Sequence, residues 1–138
     1  MDGKTVRKCF KDLKKEYNFG YENLTEKQVE LLVHLLNGED TISVLSTGHG
    51  KSDIFVVFIL IKEKLEQSQP VCIVLSPLLS LAKDMEENIK RKGISCCFLS
   101  GQKPKTPEEI DKHHVMVKGW PVYILCVYCR LLSPTHSC

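Results

Sequence analysis

The sequence predicts an α/β fold in which a parallel sheet carries helices on both faces. Short β-rich runs at 41–45, 71–75, 95–99 and 123–127 alternate with segments of helical periodicity. This alternation is typical of βαβ units, whose crossovers place helices on the two sides of a parallel sheet. A chain of 138 residues with 43% hydrophobic content is large enough for one packed core and too small for two.

Two helices are predicted ahead of the first β-rich run. The apolar residues of 5–17 recur at helical spacing, with lysines on the opposite face. A second helix is predicted to begin at Thr25, because Thr25 and Gln28 have the spacing of a capping box. Leu24 and Val29 occupy the two positions of a hydrophobic staple around the same helix start.

Three further helices are predicted to alternate with the strands. The first covers 51–65, and the second follows Ser76 and Pro77 and ends at Gly93. The third begins at Thr106, where a capping residue, a proline and two acids follow one another. Each predicted strand is therefore separated from the next by a helix or by the loop that precedes one.

The charge distribution gives weak support for a phosphate-rich partner. The formal net charge is only +2, which by itself argues for no particular ligand. The first predicted helix nevertheless concentrates six basic residues: Lys4, Arg7, Lys8, Lys11, Lys14 and Lys15. Such runs are more often solvated helix faces than binding surfaces.

The cysteines and the apolar runs indicate an intracellular protein, either nuclear or cytoplasmic. Seven cysteines are scattered without the spacing of a disulfide framework, which favours a reducing compartment. The longest apolar run, 54–61, is about half as long as a bilayer crossing requires. The N-terminus is charged and amphipathic, unlike a secretory signal. We therefore expect no membrane partner.

A glycine-rich loop lies between a predicted strand and a predicted helix. Its residues are Thr47, Gly48, His49, Gly50, Lys51 and Ser52. The glycines allow consecutive N–H groups to face one anion, and the helix N-terminus adds partial positive charge. Lys51 could then reach the β- and γ-phosphates of a nucleotide, while Ser52 offers its hydroxyl to Mg²⁺. Leu45 stands where the strict phosphate-loop pattern has glycine, so an ordinary turn is the alternative.

A second motif, residues 19–28, precedes this loop. Its sequence FGYENLTEKQ is similar to the adenine-recognition motif of RecQ-type DNA helicases of superfamily 2. The resemblance implies that Tyr21 stacks on adenine and that Gln28, whose amide both donates and accepts, recognises the edge of the base. The family usually has Phe-Arg where this chain has Leu24 and Thr25. The alternative is that Gln28 serves only the capping box.

The third motif, residues 74–81, has the sequence VLSPLLSL. It resembles the Ser-Pro-Leu-hydrophobic-Ser-Leu motif that follows the second core strand in RecQ-type helicases, and Asp84 is the counterpart of the family's aspartate. The resemblance implies that Ser76 and Pro77 lie along the backbone of single-stranded DNA, where hydroxyl and N–H groups hold phosphate. The alternative is a strand-to-helix turn with a proline.

Three motifs in this order make the chain similar to the RecQ-like helicases through residue 132. The resemblance implies a P-loop RecA-like fold, with ATP and Mg²⁺ as cofactors and DNA, either single-stranded or a tailed duplex, as the partner. Residues 1–40 would form N-terminal helices that carry the adenine motif, and 41–138 a RecA-like core that is incomplete at the C-terminus. His49 fills the variable position of the loop.

One family motif is missing from the printed sequence. Hydrolysis in the family uses an Asp-Glu motif and an arginine from a second motor domain, and these 138 residues contain no Asp-Glu pair. We therefore expect a fragment of a 3′ to 5′ DNA helicase that binds ATP and nucleic acid without turnover, and we assign no catalytic residue. A non-catalytic regulatory or interaction module is the alternative. A small P-loop kinase is disfavoured, because two of the motifs would then be coincidences.

Overall fold

A computed structural model describes residues 1–45, 50–67, 70–94, 96–100 and 124–128, with the backbone alone for 97–100 and 124–128. Within these ranges the elements follow in the order α1 (Gly3–Glu16), α2 (Glu26–Leu36), α3 (Lys51–Glu66), β1 (Cys72–Ser76), α4 (Leu79–Arg91), β2 (Cys96–Ser100) and β3 (Ile124–Tyr128). None of the helices in this part of the chain is both long and apolar enough to span a membrane.

Some predicted features fall outside the described residues. Thr47, Gly48 and His49 of the glycine-rich loop belong to this group, as does the helix predicted from Thr106.

Local capping interactions set the helix starts. The Asp2 carboxylate accepts a hydrogen bond from the Thr5 N–H at 2.8 Å at the start of α1. Thr25 caps α2 and forms the complete capping box with Gln28 that the spacing predicts. Because these signals span only three residues, they act before any tertiary contact forms, and the sequence places both helices to within two residues.

Helix α3 is the centre of the hydrophobic core. It contacts α1, α2, α4 and β1. Six of its residues are buried: Ile54, Val56, Val57, Ile59, Leu60 and Ile61. They are too closely spaced to occupy one helical face, and a helix that is apolar on most sides must be enclosed by other elements. This enclosure fixes the N-terminus of α3, where Lys51 and Ser52 lie.

The three strands pair in parallel in the order β1-β3-β2. Cys72 of β1 and Cys96 of β2 both stand in register with Ile124 of the central strand. Helix α4 connects β1 to β2 and contacts all three strands. The periodicity of this segment predicts one apolar side with Leu78, Leu81, Ala82, Met85 and Ile89. Ala82, Met85 and Ile89 are buried, whereas Leu78 and Leu81 are 60% and 46% exposed.

Only one face of β1 is buried, although the sheet is predicted to carry helices on both faces. Val74 and Ser76 are buried, but Ile73 and Leu75 on the other face of β1 are 63% and 66% exposed. The reason is that α3 and α4 cover only the face of Val74 and Ser76, and no other described element covers the opposite one. Helices on both faces of the sheet are therefore not observed among the described residues.

The strand predicted at 41–45 is also wrong. These residues belong to no helix and no strand ladder, and Ile42 and Val44 are 99% and 91% exposed. A β-strand requires a neighbour that exchanges N–H and C=O hydrogen bonds, and the described strands pair only among themselves. Sequence composition therefore identified a segment suited to a sheet, but no described strand lies beside it.

Candidate nucleotide-binding site

The N-terminus of α3 presents two of the predicted phosphate-binding groups. Gly50 is the N-cap and has left-handed backbone angles, with φ at 64°, which glycine adopts without strain. Lys51 is exposed, and Ser52 is half-buried behind it. The N–H groups of a first helical turn have no partner inside the helix, so this end of α3 can bind an anion.

Gln28 is buried, and its side chain completes the capping box of α2. Its Oε1 accepts hydrogen bonds from the Thr25 N–H at 2.9 Å and from the Thr25 hydroxyl at 3.2 Å. The Gln28 N–H in turn donates to the Thr25 hydroxyl at 3.3 Å. The capping role, which was one of the two alternatives for Gln28, is therefore present, and its role toward adenine stays a prediction.

The same side chain brings the two predicted motifs together. A β-carbon placed on Gly50 would lie 3.1 Å from Nε2 of Gln28 and 3.8 Å from Oδ2 of Asp53. The amide of the adenine motif thus packs against the last glycine of the loop. A ligand that contacts the start of α3 would therefore lie close to Gln28.

Tyr21, the other adenine-motif residue, belongs to an aromatic cluster. Its ring stacks on Phe10 of α1 with centroids 5.5 Å apart and an angle of 15° between the planes. Phe19 meets the Tyr21 ring edge-on at 6.1 Å and lies 5.2 Å from Phe10. These contacts hold the ring rigidly in an arrangement that aromatic pairs favour.

The hydroxyl of Tyr21 is buried and lies near the Asp53 carboxylate, but it forms no hydrogen bond of full geometry with any described residue. Burial raises the pKa of this hydroxyl strongly, and the negative charge of the nearby Asp53 carboxylate raises it further. The group is therefore a neutral donor at physiological pH. It faces the first turn of α3, where Asp53 lies.

Asp53 and Lys92 form an ion pair that joins the start of α3 to the end of α4. The Lys92 Nζ and the Asp53 Oδ1 are 3.0 Å apart, and the two side chains are only 15% and 14% exposed. Sequence analysis did not select either residue for the site. The two residues are 39 positions apart, so no local sequence pattern predicts that they pair. The one available signal is that acids are favoured in the first turn of a helix, where Asp53 lies.

The turn after β1 holds Ser76 and Pro77. The buried Ser76 hydroxyl donates to the Leu78 carbonyl at 3.1 Å and accepts from the Leu78 N–H at 3.3 Å. Pro77 is exposed. This hydroxyl is thus engaged in shaping the turn, which was the alternative to contact with a nucleic-acid backbone.

No cluster of three or more histidine, cysteine, aspartate or glutamate side chains that could hold a metal ion occurs in the described part of the chain. Ser52 is the predicted metal-binding residue, and it would act together with nucleotide phosphates. Its half-buried position on the first turn of α3, next to the exposed Lys51, fits such a role.

Comparison with known proteins places these residues in a family. The profile of the DEAD/DEAH box helicases matches residues 25–127. The chain belongs to the DEAD/DEAH box helicase family. The matched region begins at the capping residue Thr25 and includes Gln28, Lys51 and Ser76, whereas Tyr21 lies just before it.

Both DNA and RNA helicases of this family are similar to the chain. The ATP-dependent DNA helicase RecQ of Haemophilus influenzae is 35% identical over 82 residues, which are 59% of this chain and 12% of that protein. The DNA helicase hus2/rqh1 of Schizosaccharomyces pombe is 29% identical over 90% of this chain and 9% of its own length. The DEAD-box RNA helicase CshC of Bacillus cereus is 30% identical over 77% of this chain and 29% of its own length.

The chain thus spans less than a third of each of these three helicases. The resemblance to RecQ-type helicases that the motifs predict is confirmed at the level of superfamily 2. It does not separate DNA helicases from RNA helicases, because members of both groups are similar to the chain.

Proposed function

We propose that this chain is an ATP- and nucleic-acid-binding part of a RecQ-type 3′ to 5′ DNA helicase. The observation that supports the proposal best is the contact between Gln28 and Gly50, where the Nε2 atom lies 3.1 Å from a β-carbon position. Two motifs that are separate in sequence converge at one helix N-terminus, as a nucleotide with an adenine end and a phosphate end requires.

The polyphosphate would lie at the N-terminus of α3. Lys51 would pair with the β- and γ-phosphates, and Ser52 would bind Mg²⁺ together with them. The backbone of Thr47, Gly48, His49 and Gly50 would donate to the phosphate oxygens. ATP, when bound, supplies the phosphoryl group, and these residues bind and orient it.

The adenine would lie beside Gln28 and Tyr21. Because one face of the Tyr21 ring is covered by Phe10, a base would stack on the opposite face. The Oε1 of Gln28 already accepts from Thr25, so recognition of adenine through this atom would require the capping bond to be shared or released.

The proposal includes the fold and the compartment of the RecQ-type proteins. Residues 1–40 would supply the N-terminal helices with the adenine motif, and 41–138 would belong to a P-loop RecA-like parallel sheet with helices on both faces. The scattered cysteines support a reducing, nuclear or cytoplasmic location.

Single-stranded or tailed-duplex DNA is the proposed nucleic-acid partner, with Ser76 and Pro77 along its backbone. The basic face of α1 gives little further support, because several of its cations are paired. Arg7 contacts Glu26 at 2.7 Å, and Lys14 is paired with Glu22. The proposed contact therefore rests on the turn after β1 and on the similarity to RecQ.

Binding of a fluorescent ATP analogue tests the nucleotide site. We expect Lys51→Ala to abolish binding while the circular dichroism spectrum stays unchanged. Lys62→Ala is the matched control, because Lys62 lies on the same helix and pairs only with Glu66 at 3.0 Å among the described residues. Equal affinity of Lys51→Ala and the unmodified chain would contradict the proposal. Competition by GTP as strong as that by ATP would contradict the adenine assignment.

Fluorescence anisotropy with single-stranded DNA and RNA of the same sequence tests the partner. A RecQ-type protein should bind the DNA strand more tightly than the RNA strand, or at least equally tightly. Clear preference for RNA would instead place the chain with the DEAD-box RNA helicases. Binding of nucleic acid with no binding of any nucleotide would favour the alternative of a non-catalytic interaction module.

A further inference from the structure

The ion pair between Asp53 and Lys92 lies directly behind the proposed phosphate site. Asp53 is the residue after Ser52, and its N–H donates to the Gly50 carbonyl at 3.1 Å. Its Oδ2 is 3.8 Å from the β-carbon position of Gly50, while its Oδ1 meets Lys92 at 3.0 Å. One carboxylate therefore lies beside the capping glycine of α3 and pairs with the end of α4.

A carboxylate at this place has two opposing effects. It is stabilised by the positive end of the α3 dipole, but it competes with any anion that binds at the same helix N-terminus. Because both side chains are largely buried, solvent and salt screen this charge less than they screen a surface carboxylate. An unpaired Asp53 would therefore repel a nucleotide polyphosphate.

We propose that Lys92 is a positioning residue of the nucleotide site, where it neutralises Asp53 and anchors the first turn of α3 to the end of α4. This inference rests on the proposed nucleotide binding. Lys92 itself does not contact the phosphates. Lys92 acts on the phosphates through Asp53. Because it neutralises the Asp53 carboxylate, the attraction between Lys51 and the phosphates is not offset by a neighbouring negative charge.

The test compares the affinities of ATP, ADP and AMP for four forms of the full chain. These are the unmodified chain, Lys92→Met, the double variant Asp53→Asn/Lys92→Met and the control Lys90→Met. Lys90 lies on the same helix, and it pairs with Glu86 of that helix at 2.6 Å, whereas Lys92 pairs with Asp53. Affinities are measured by displacement of a fluorescent ATP analogue at low and high salt.

Lys92→Met should weaken ATP binding by on the order of tenfold, ADP binding less and AMP binding least, because repulsion grows with phosphate charge. High salt should reduce the difference. The double variant should recover the affinity of the unmodified chain, and Lys90→Met should not change it. A purely structural role would weaken all three nucleotides alike and would not be rescued by the second substitution.

Two results would overturn the inference. Unchanged ATP affinity in Lys92→Met would show that Asp53 needs no compensation. Equal loss in Lys92→Met and in the double variant would show that Lys92 does not act through Asp53: it would contact the phosphates itself if the loss grows with phosphate charge, and would be purely structural if the loss is the same for all three nucleotides. If Lys92→Met does not fold, the variant Asp53→Asn is measured instead. It should bind ATP at least as tightly as the unmodified chain, and a weaker affinity would contradict the inference. Absence of nucleotide binding by the unmodified chain would overturn the proposed function itself.

Discussion

The amide nitrogen of Gln28 lies 3.1 Å from the position that a β-carbon on Gly50 would occupy. Gln28 is held there by its hydrogen bond to the Thr25 N–H, and Gly50 by its left-handed backbone at the start of α3. The N-termini of α2 and α3 are therefore packed so closely that a methyl group on Gly50 would require the Gln28 amide to move by a few tenths of an ångström. A substitution at either residue should therefore alter the packing at the N-termini of both helices.

Gly50→Ala should destabilise the protein more than Gly38→Ala. Both glycines have positive φ, at 64° and 78°, so each alanine costs about 1–2 kcal/mol of backbone strain. Only at Gly50 does the added methyl group meet a side chain, whereas nothing lies within 4 Å of the position at Gly38. We expect roughly 1 kcal/mol of additional loss from this crowding. Urea denaturation of the two variants measures the difference, and equal losses would contradict the contact.

Thr25→Ala and Gln28→Ala should separate capping from adenine recognition. Both remove part of the capping box of α2, so each should lower the free energy of unfolding by about 1 kcal/mol. Thr25→Ala leaves the Gln28 amide in place, and we expect it to keep the preference for ATP over GTP. Gln28→Ala should lose that preference. Competition binding checks this, and an equal preference in the two variants would leave Gln28 with the capping role alone.

Tyr21→Phe should change the free energy of unfolding at pH 7 by less than about 1 kcal/mol, because the buried hydroxyl that it removes forms no hydrogen bond of full geometry and interacts only weakly with Asp53. The folded pKa of this hydroxyl is raised, so the unfolded chain ionises first as the pH rises above about 10. The unmodified protein should therefore lose stability relative to Tyr21→Phe in that range. Urea titrations at neutral and alkaline pH test this, and a constant difference would contradict it.

Turnover should be absent. The sequence has no Asp-Glu pair to orient the water and the metal, and loss of a trans-acting arginine alone costs on the order of 10³–10⁵ in rate. We expect no ATP hydrolysis above background with single-stranded DNA and no unwinding of a 3′-tailed duplex. Hydrolysis that rises with DNA and disappears in Lys51→Ala would show that another carboxylate, such as Asp84 or Asp111, serves the metal.

Features encoded within a few residues were predictable from the sequence. The capping box of Thr25 and Gln28 forms as expected, and α3 begins at Lys51 as the glycine-rich loop predicts. Helix α4 buries Ala82, Met85 and Ile89 of the apolar side that its periodicity indicates, but not Leu78 and Leu81 at its start. In each case the deciding interaction lies within one or two helical turns, so the pattern alone contains it.

Features that depend on distant partners were not predictable in this way. The composition of 41–45 suits a strand. The sequence does not reveal that this segment lacks a neighbouring strand among the described residues. It also gives no sign that Phe10 stacks on Tyr21 or that Lys92 reaches Asp53. These contacts depend on how α1, α3 and α4 pack, which no local pattern specifies.

The two segments that flank the glycine-rich loop differ in local stability. Helix α3 follows the loop and is enclosed by the core, whereas residues 41–45 precede it without ladder hydrogen bonds among the described residues. Amide protons of 41–45 should therefore exchange with solvent far faster than those of the middle of α3. A nucleotide that orders this segment would spend part of its binding free energy on lost backbone entropy. Its apparent affinity would then rise in any larger assembly that supplies a neighbouring strand.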